Sequence, residues 1–191
     1  MRTIRSARLQ LVPVTPLNAG VLWTVLQEPD LRDFQDLPDV DRAHFLRVVG
    51  ERPRRFAPGV VGRFEWLLHY ESGDGEPLGW VSLRIGESNR ATAEIGYSVV
   101  RAHRGRGIAT EAVGALVQEG FRRARLRRIR AYCLPENASS RAVLRRNGFE
   151  DEGTLPRGAT VQGKPVDVIV YALARERWES VVNASHAASE S

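Results

Sequence analysis

Residues 104–112 read RGRGIATEA, and this stretch limits the possible folds more than any other. It stands between a strand-like run, ATAEIGYSVV (91–100), and an apolar pattern of helical period. In that pattern Ile108, Ala109, Ala112, Val113, Leu116, Val117 and Phe121 recur to about Arg125. A second strand-like run, RIRAYCL (128–134), follows. Strand, glycine loop, helix, strand belongs to a mixed α/β sheet. Gly105 and Gly107 allow φ > 0 and let backbone N–H groups meet an anion with no Cβ between them. The first N–H groups of a helix have no partner within it, and the helix dipole makes that end partly positive. With Arg104 and Arg106 beside it, a phosphate site is the direct expectation. A tight turn carrying solvated arginines is the plainer alternative.

The rest of the chain agrees with one α/β domain. Arg8–Val14 alternates as a strand, and Thr15-Pro16 offers a capping hydroxyl before a proline at the first helical position. A second helix is expected from about Asp39 to Val49, ended by Pro53. RFEWLLHY (63–70) and LGWVSLRI (78–85) flank the turn-rich ESGDGEP and predict a β-hairpin. SSRAVLRRN predicts a short helix stopped by Gly148, and FEDEGTL and VDVIVYAL predict two closing antiparallel strands. The expected domain is 1–182, with a small, polar, disordered tail over 183–191.

Composition narrows the class of function. No apolar run approaches the ~20 residues of a membrane helix. The single cysteine, Cys133, rules out an internal disulfide framework and fits a reducing cytoplasm. A net charge of +5, carried by arginines and one lysine (Lys164), favours polyanionic partners without choosing between nucleic acid and a phosphorylated cosubstrate. Four scattered histidines show no metal-ligand spacing, so no metal is expected.

Among phosphate loops, a P-loop needs GxxxxGK[ST], which is absent, and a dinucleotide fingerprint would need glycine where Thr110 stands. The run Arg104-Gly105-Arg106-Gly107-Ile108-Ala109 instead resembles the acyl-CoA signature [Q/R]-x-x-G-x-[G/A] of the GNAT N-acetyltransferases. RGRGIATEA is similar in particular to the Rim-type (RimJ/RimL) ribosomal-protein N-terminal acetyltransferases. AEIGYSV (93–99) resembles the family's strand before the loop, and NASSRAVLRRNGF (137–149) its N-x-x-S…GF segment.

The resemblance implies a central mixed sheet of about seven strands with a splayed parallel pair, flanked by helices. It implies acetyl-CoA as cosubstrate. The pantetheine would pair with the strand edge at Ser98, Val99 and Val100, and the pyrophosphate would lie on the N–H groups of Arg104, Gly105, Arg106, Gly107, Ile108 and Ala109. Transfer would be direct, from thioester to a primary amine. Glu94 matches the family's E-I-G-Y glutamate, a base acting through water; Asn137 and Ser140 match N-x-x-S, orienting the cofactor and serving the leaving sulfur. A salt-bridged strand glutamate and an ordinary helix cap are the structural alternatives for Glu94 and Asn137. The implied acceptor is a protein N-terminus, with the ribosome as a setting. A small-molecule amine, such as an antibiotic or polyamine, is the rival, and a non-catalytic acyl-CoA-binding regulator is a third possibility. A nucleic-acid module built on RRARLRRIR (122–130) lacks any recognition motif, so no specific nucleic-acid binding is expected. A homodimer is left open.

Overall fold

The computed structural model describes residues 1–28, 40–72 and 75–189. Strands β1 (Ile4–Arg5) and β2 (Leu9–Pro13) lead into helices α1 (Ala19–Leu26) and α2 (Arg42–Glu51). Next come β3 (Gly62–Tyr70), β4 (Gly79–Ile85) and β5 (Thr92–Val99). Helix α3 (Ile108–Arg122), β6 (Arg128–Cys133) and α4 (Ala138–Arg146) follow, and β7 (Glu150–Val161), β8 (Lys164–Ala174) and α5 (Arg175–Ser189) close the chain. The strands form one sheet in the order β1-β2-β3-β4-β5-β6-β8-β7, in which β5 and β6 are parallel and every other pair is antiparallel. The mixed sheet expected from the sequence is therefore present, with eight strands rather than about seven.

Alternation along β3–β5 assigns two faces. Phe64, Trp66 and Leu68 of β3, Val81 and Leu83 of β4, and Ala93 and Ile95 of β5 pack with Ile108, Val113, Leu116 and Phe121 of α3 and Leu144 of α4. Leu67 and Trp80 point the other way and pack with Leu22 and Val25 of α1 and Phe45 and Val49 of α2. The sheet thus has an α3–α4 face and an α1–α2 face.

Helix starts and stops follow local chemistry, with one correction. Thr15-Pro16 does not open α1; residues 16–18 form a turn and the helix begins at Ala19. Asn18 captures the turn, its Oδ1 accepting from the Thr15 N–H at 2.7 Å and its Nδ2 donating to the Pro13 carbonyl at 3.0 Å. That local network outcompetes a Thr15 cap. For α2 the cap is Asp41, whose Oδ1 accepts from the His44 N–H at 2.8 Å, and Arg52 before Pro53 is extended. Asp39, where this helix was expected to begin, lies outside the described residues. Gly148 ends α4 at φ +80° as expected. The closing strands are longer than the apolar pattern suggested, because Gln162 (φ +50°) and Gly163 (φ +74°) make a two-residue turn that suits a hairpin. Helix α5 runs through residues 183–189, where a free tail was expected.

The parallel pair is short. β5 and β6 pair only at Thr92↔Arg128, Ala93↔Ile129 and Glu94↔Arg130. Beyond Glu94, β5 continues to Val99 along β4, while β6 continues to Cys133 along β8. A wedge therefore opens between Ile95–Val99 and Ala131–Cys133, the splay expected of the resemblance. Gly79 secures one bank: at φ +152°, a Cβ there would stand 2.1 Å from the Ser98 carbonyl oxygen.

Candidate active site

The glycine loop closes the open end of the wedge. From β5 the chain makes a 3₁₀ turn at Arg101–His103, then Gly105 (φ +75°) and Gly107 (φ +76°) turn it into α3. Gly107 is the N-cap and has no side chain to satisfy the helix, and the first intrahelical bond of α3 is Glu111 N–H to the Gly107 carbonyl. The N–H groups of Ile108, Ala109 and Thr110 thus point out of the helix end without an acceptor inside it. A Cβ added at Gly105 would meet nothing within 4 Å. An anion-accepting end with bare backbone around it fits the phosphates of CoA in charge and in donor chemistry.

Two anchors hold the loop, and neither was visible in the sequence. Glu111, in the first turn of α3, accepts from the Arg8 N–H at 2.7 Å, the Arg8 Nε at 2.7 Å and the Ser6 hydroxyl at 2.8 Å. Arg8 also donates to the Arg106 carbonyl at 3.2 Å, so the start of β2 is tied to the loop. Burial alone would raise the Glu111 carboxyl, but the Arg8 N–H, the Ser6 hydroxyl and the Arg8 guanidinium outweigh it and hold it below its ordinary 4.5. A carboxyl depressed in the folded state adds stability above its unfolded pKa, and that stability disappears as pH falls. Glu111→Gln is therefore expected to flatten the loss of melting temperature below about pH 4.5, where the wild type falls more steeply; parallel acid limbs would contradict it.

Arg104 is not a mobile rim charge. Its Nε donates to the Val99 carbonyl at 2.8 Å, fastening the loop to the end of β5. Arg106 remains at the exposed edge of the loop.

Hydrogen-bond alternation shows which backbone groups line the wedge. The Val100 N–H donates to Leu78 of the segment entering β4, and the Arg127 N–H on the other side donates to the Ala91 carbonyl. Even-numbered residues of β5 therefore direct their backbone groups to β4, and Ile95, Tyr97 and Val99 direct theirs into the wedge. Ser98 is committed to the β4 side. Val100 is committed twice, since its carbonyl also accepts from the His103 N–H at 2.9 Å. Of the three edge positions Ser98, Val99 and Val100, only Val99 faces the gap, and Tyr97 joins it.

The side-chain candidates flank the wedge from opposite faces. Glu94 sits at the last paired position, on the α1–α2 face, half-buried and ion-paired with Arg84 across the β4–β5 ladder. Arg84 is exposed and Glu94 keeps about a third of its side-chain surface in solvent. Such surface pairs are worth only about 0–1 kcal/mol, too little to lock the carboxylate away from a ligand. Ser140 lies in the first turn of α4 on the other face. Asn137 is the N-cap there, its Oδ1 accepting from the Ser140 N–H at 3.0 Å, so the plain capping role weighed for Asn137 is present. The Tyr97 hydroxyl reaches across from β5 to within 2.9 Å of Ser140 Oγ and 3.2 Å of the Ser140 carbonyl. Tyr97 was not singled out in the sequence, although period-two alternation along AEIGYSV sets it opposite Glu94.

Other candidates fall away. Cys133 is buried in the core, and burial pushes its thiol up, with the Ser140 hydroxyl and Arg141 opposing; a thiol held protonated is a poor acyl carrier. The arginine run begins at the C-terminal end of α3, where Arg122 is 15 residues from Gly107, and passes into β6 with Arg128 and Arg130. At 1.5 Å per residue that puts Arg122 and Arg123 about 22 Å from the loop, too far for the 3′-phosphate of a CoA whose pyrophosphate sits there. Asp167 accepts from the Arg157 N–H at 2.8 Å, which fixes the irregular β7–β8 ribbon where Arg157 has φ +53°. Among the described residues there is no cluster of three or more His, Cys, Asp or Glu suited to a metal ion, and no helix is long and apolar enough to cross a membrane.

Comparison with known proteins gives a consistent result. Residues 8–150 match the family model described as the acetyltransferase (GNAT) domain. The chain is 28% identical over 182 residues to an uncharacterized N-acetyltransferase, p20, of Bacillus licheniformis, covering 93% of this chain and 99% of that protein. It is 35% identical over 99 residues to the ribosomal-protein-serine acetyltransferase of Escherichia coli (strain K12), covering 52% of this chain and 55% of the relative. Among solved structures it superposes with a TM-score of 0.76 and 25% identity on RimL, a ribosomal L7/L12 alpha-N-protein acetyltransferase in complex with coenzyme A as a cysteine disulfide. That superposition covers 90% of this chain and 97% of RimL.

Proposed function

The chain belongs to the GNAT acetyltransferases, and on that premise we propose that it moves an acetyl group from acetyl-CoA directly to the α-amine of a protein or peptide N-terminus. The observation that carries this is the wedge: β5–β6 pairing stops at Glu94↔Arg130, and the gap opens onto a helix end capped by glycine alone. The N–H groups of Gly105 to Ala109 hold the pyrophosphate, with Arg106 at the rim. The gap-facing groups of Tyr97 and Val99 pair with the pantetheine amides and set the thioester between the two faces of the sheet. The Val99 N–H is the donor best placed for a developing oxyanion. On the α1–α2 face Glu94 takes the proton of the attacking amine through water, and on the α3–α4 face Ser140 serves the leaving sulfur. The amine adds to one face of the planar thioester carbonyl, and the sulfur leaves from the tetrahedral species. A base and a group serving the sulfur on opposite faces of the sheet can therefore act without competing for one proton. Asn137 holds the first turn of α4 in place.

Amine chemistry supports an N-terminal acceptor. An α-amine has a pKa of about 7.7–8.0 and lysine about 10.4, so at pH 7 roughly a tenth of the former is neutral and only about 0.04% of the latter. One carboxylate acting through water suits the amine that is already partly deprotonated. The names of the Escherichia coli relative and of RimL support a ribosomal-protein substrate, in a cytoplasmic setting where a basic surface assists approach to an RNA-rich particle. The test is acetyl transfer to peptides with free or blocked N-termini, each with and without lysine, beside a panel of small amines. Peptides with a free N-terminus and no lysine are expected to be acetylated. Transfer that survives blocking and requires lysine would reverse the assignment, and turnover with small amines alone would make the chain a small-molecule N-acetyltransferase.

A further inference from the structure

We propose that Tyr97 is a positioning residue for the leaving-group side of the transfer: its hydroxyl donates to Ser140 Oγ and so directs the Ser140 proton into the gap. This rests on the role given above to Ser140. Ser140 has one hydroxyl proton and two neighbours that compete for it, the Tyr97 oxygen at 2.9 Å and the Cys133 sulfur behind it. Where Tyr97 acts as donor, the Ser140 proton is released from Tyr97 and free to turn toward a thiolate. The Ser140 carbonyl, which can only accept, lies 3.2 Å from the same Tyr97 hydroxyl, so the Tyr97 proton faces the two oxygens of Ser140. Burial pushes the Tyr97 hydroxyl above its ordinary range, so its proton is present to be donated at any working pH. The Ser140 backbone is fixed independently by the Asn137 cap, which leaves the hydroxyl rotor as the freedom Tyr97 removes.

The step balances without oxidising or charging Tyr97. The amine nitrogen bonds to the acetyl carbon, the C–S bond breaks with its electron pair passing to sulfur, and the Ser140 proton moves to that sulfur. The amine proton passes through water to Glu94 and returns to solvent as Ser140 is reprotonated from it, so no charge is left over. Tyr97 ends with the proton it began with. The same contact ties the free stretch of β5 to helix α4, which follows β6, since Tyr97 stands three residues beyond the last pairing of β5 with β6 and Ser140 stands in the first turn of α4. A purely mechanical tie and an aiming role predict different kinetics.

The experiment is a double-mutant cycle of Tyr97→Phe and Ser140→Ala, with kcat, acetyl-CoA affinity and melting temperature measured on each protein. Tyr97→Phe is expected to lower kcat about tenfold, the effect of one hydrogen bond, with acetyl-CoA affinity within about twofold of wild type. In the Ser140→Ala background the same change is expected to cost nothing further, because there is no hydroxyl left to aim. Tyr97→Phe at the wild-type rate beside a slow Ser140→Ala would overturn the inference and leave the role of Ser140 standing. An equal fall in both backgrounds, or a fall in acetyl-CoA affinity in place of kcat, would also overturn it and leave only the mechanical tie. Ser140→Ala at the wild-type rate would overturn both the inference and the role of Ser140.

Discussion

Gly107→Val is expected to give a folded protein that no longer binds acetyl-CoA. Position 107 has φ +76°, so valine there carries about 1–2 kcal/mol of backbone strain, well inside the roughly 5–15 kcal/mol that holds a domain together. Space in the free protein is not the obstacle, since the nearest atom to an added Cβ is Arg8 Nη2 at 3.4 Å. The damage falls on the ligand side, where a branched side chain covers the N–H groups at the start of α3. Losing two charge-assisted hydrogen bonds at about 1.5–3 kcal/mol each weakens binding on the order of 10²–10⁴-fold. Gly163→Val is the matched control. It has φ +74° and nothing within 4 Å, but lies in the β7–β8 turn, so it carries the same strain with unchanged affinity. Calorimetric titration of both variants decides the matter, and wild-type affinity in folded Gly107→Val would remove the loop from the binding site.

Glu94→Gln is expected to lower kcat by roughly 10²–10⁴-fold with little change in acetyl-CoA binding, the usual consequence of losing a general base. The amide keeps the shape and an acceptor oxygen for Arg84, so the β4–β5 ladder and the fold are retained. Its loss of basicity acts on the amine alone, because Glu94 stands on the face of the sheet away from Ser140. The measurement is kcat across pH 6–9 beside a direct binding titration. Wild-type kcat over that range would put the base elsewhere.

Local patterns carried most of the fold. The hairpin 63–85, the helix after RGRGIATEA, and Gly148 as a left-handed stop all rest on interactions within a few residues of one another, and all appear in the structure. The positive φ values of Gly105 and Gly107 were legible for the same reason. What the sequence did not disclose is long-range. Arg8 and Glu111 are 103 residues apart and meet only because β2 and α3 are packed against each other, and Tyr97 and Ser140 are 43 apart. Helix α5 has too polar a sequence to announce itself, and it forms around Trp178, whose ring packs on Phe121 and under the Arg122 guanidinium. The start of α1 was misplaced because the Asn18 side chain satisfies the preceding turn at Thr15, a competition that spacing rules do not weigh. At the site, motif positions identified Glu94, Asn137 and Ser140, but only the bonding pattern of β4 and β5 distinguishes Val99, which faces the gap, from Ser98 and Val100, which do not.

Direct transfer across the β5–β6 gap is tested most closely by following free thiol, acetylated acceptor and the intact mass of the protein in one reaction. Wild-type protein is mixed with acetyl-CoA, first alone and then with a lysine-free peptide bearing a free N-terminus. The expected result is no change in the mass of the chain in either case, and one CoA thiol released for each peptide acetylated. Accumulation of an acetyl group on the chain at Cys133 that then passes to the peptide, or failure of any amine to release CoA, would contradict it.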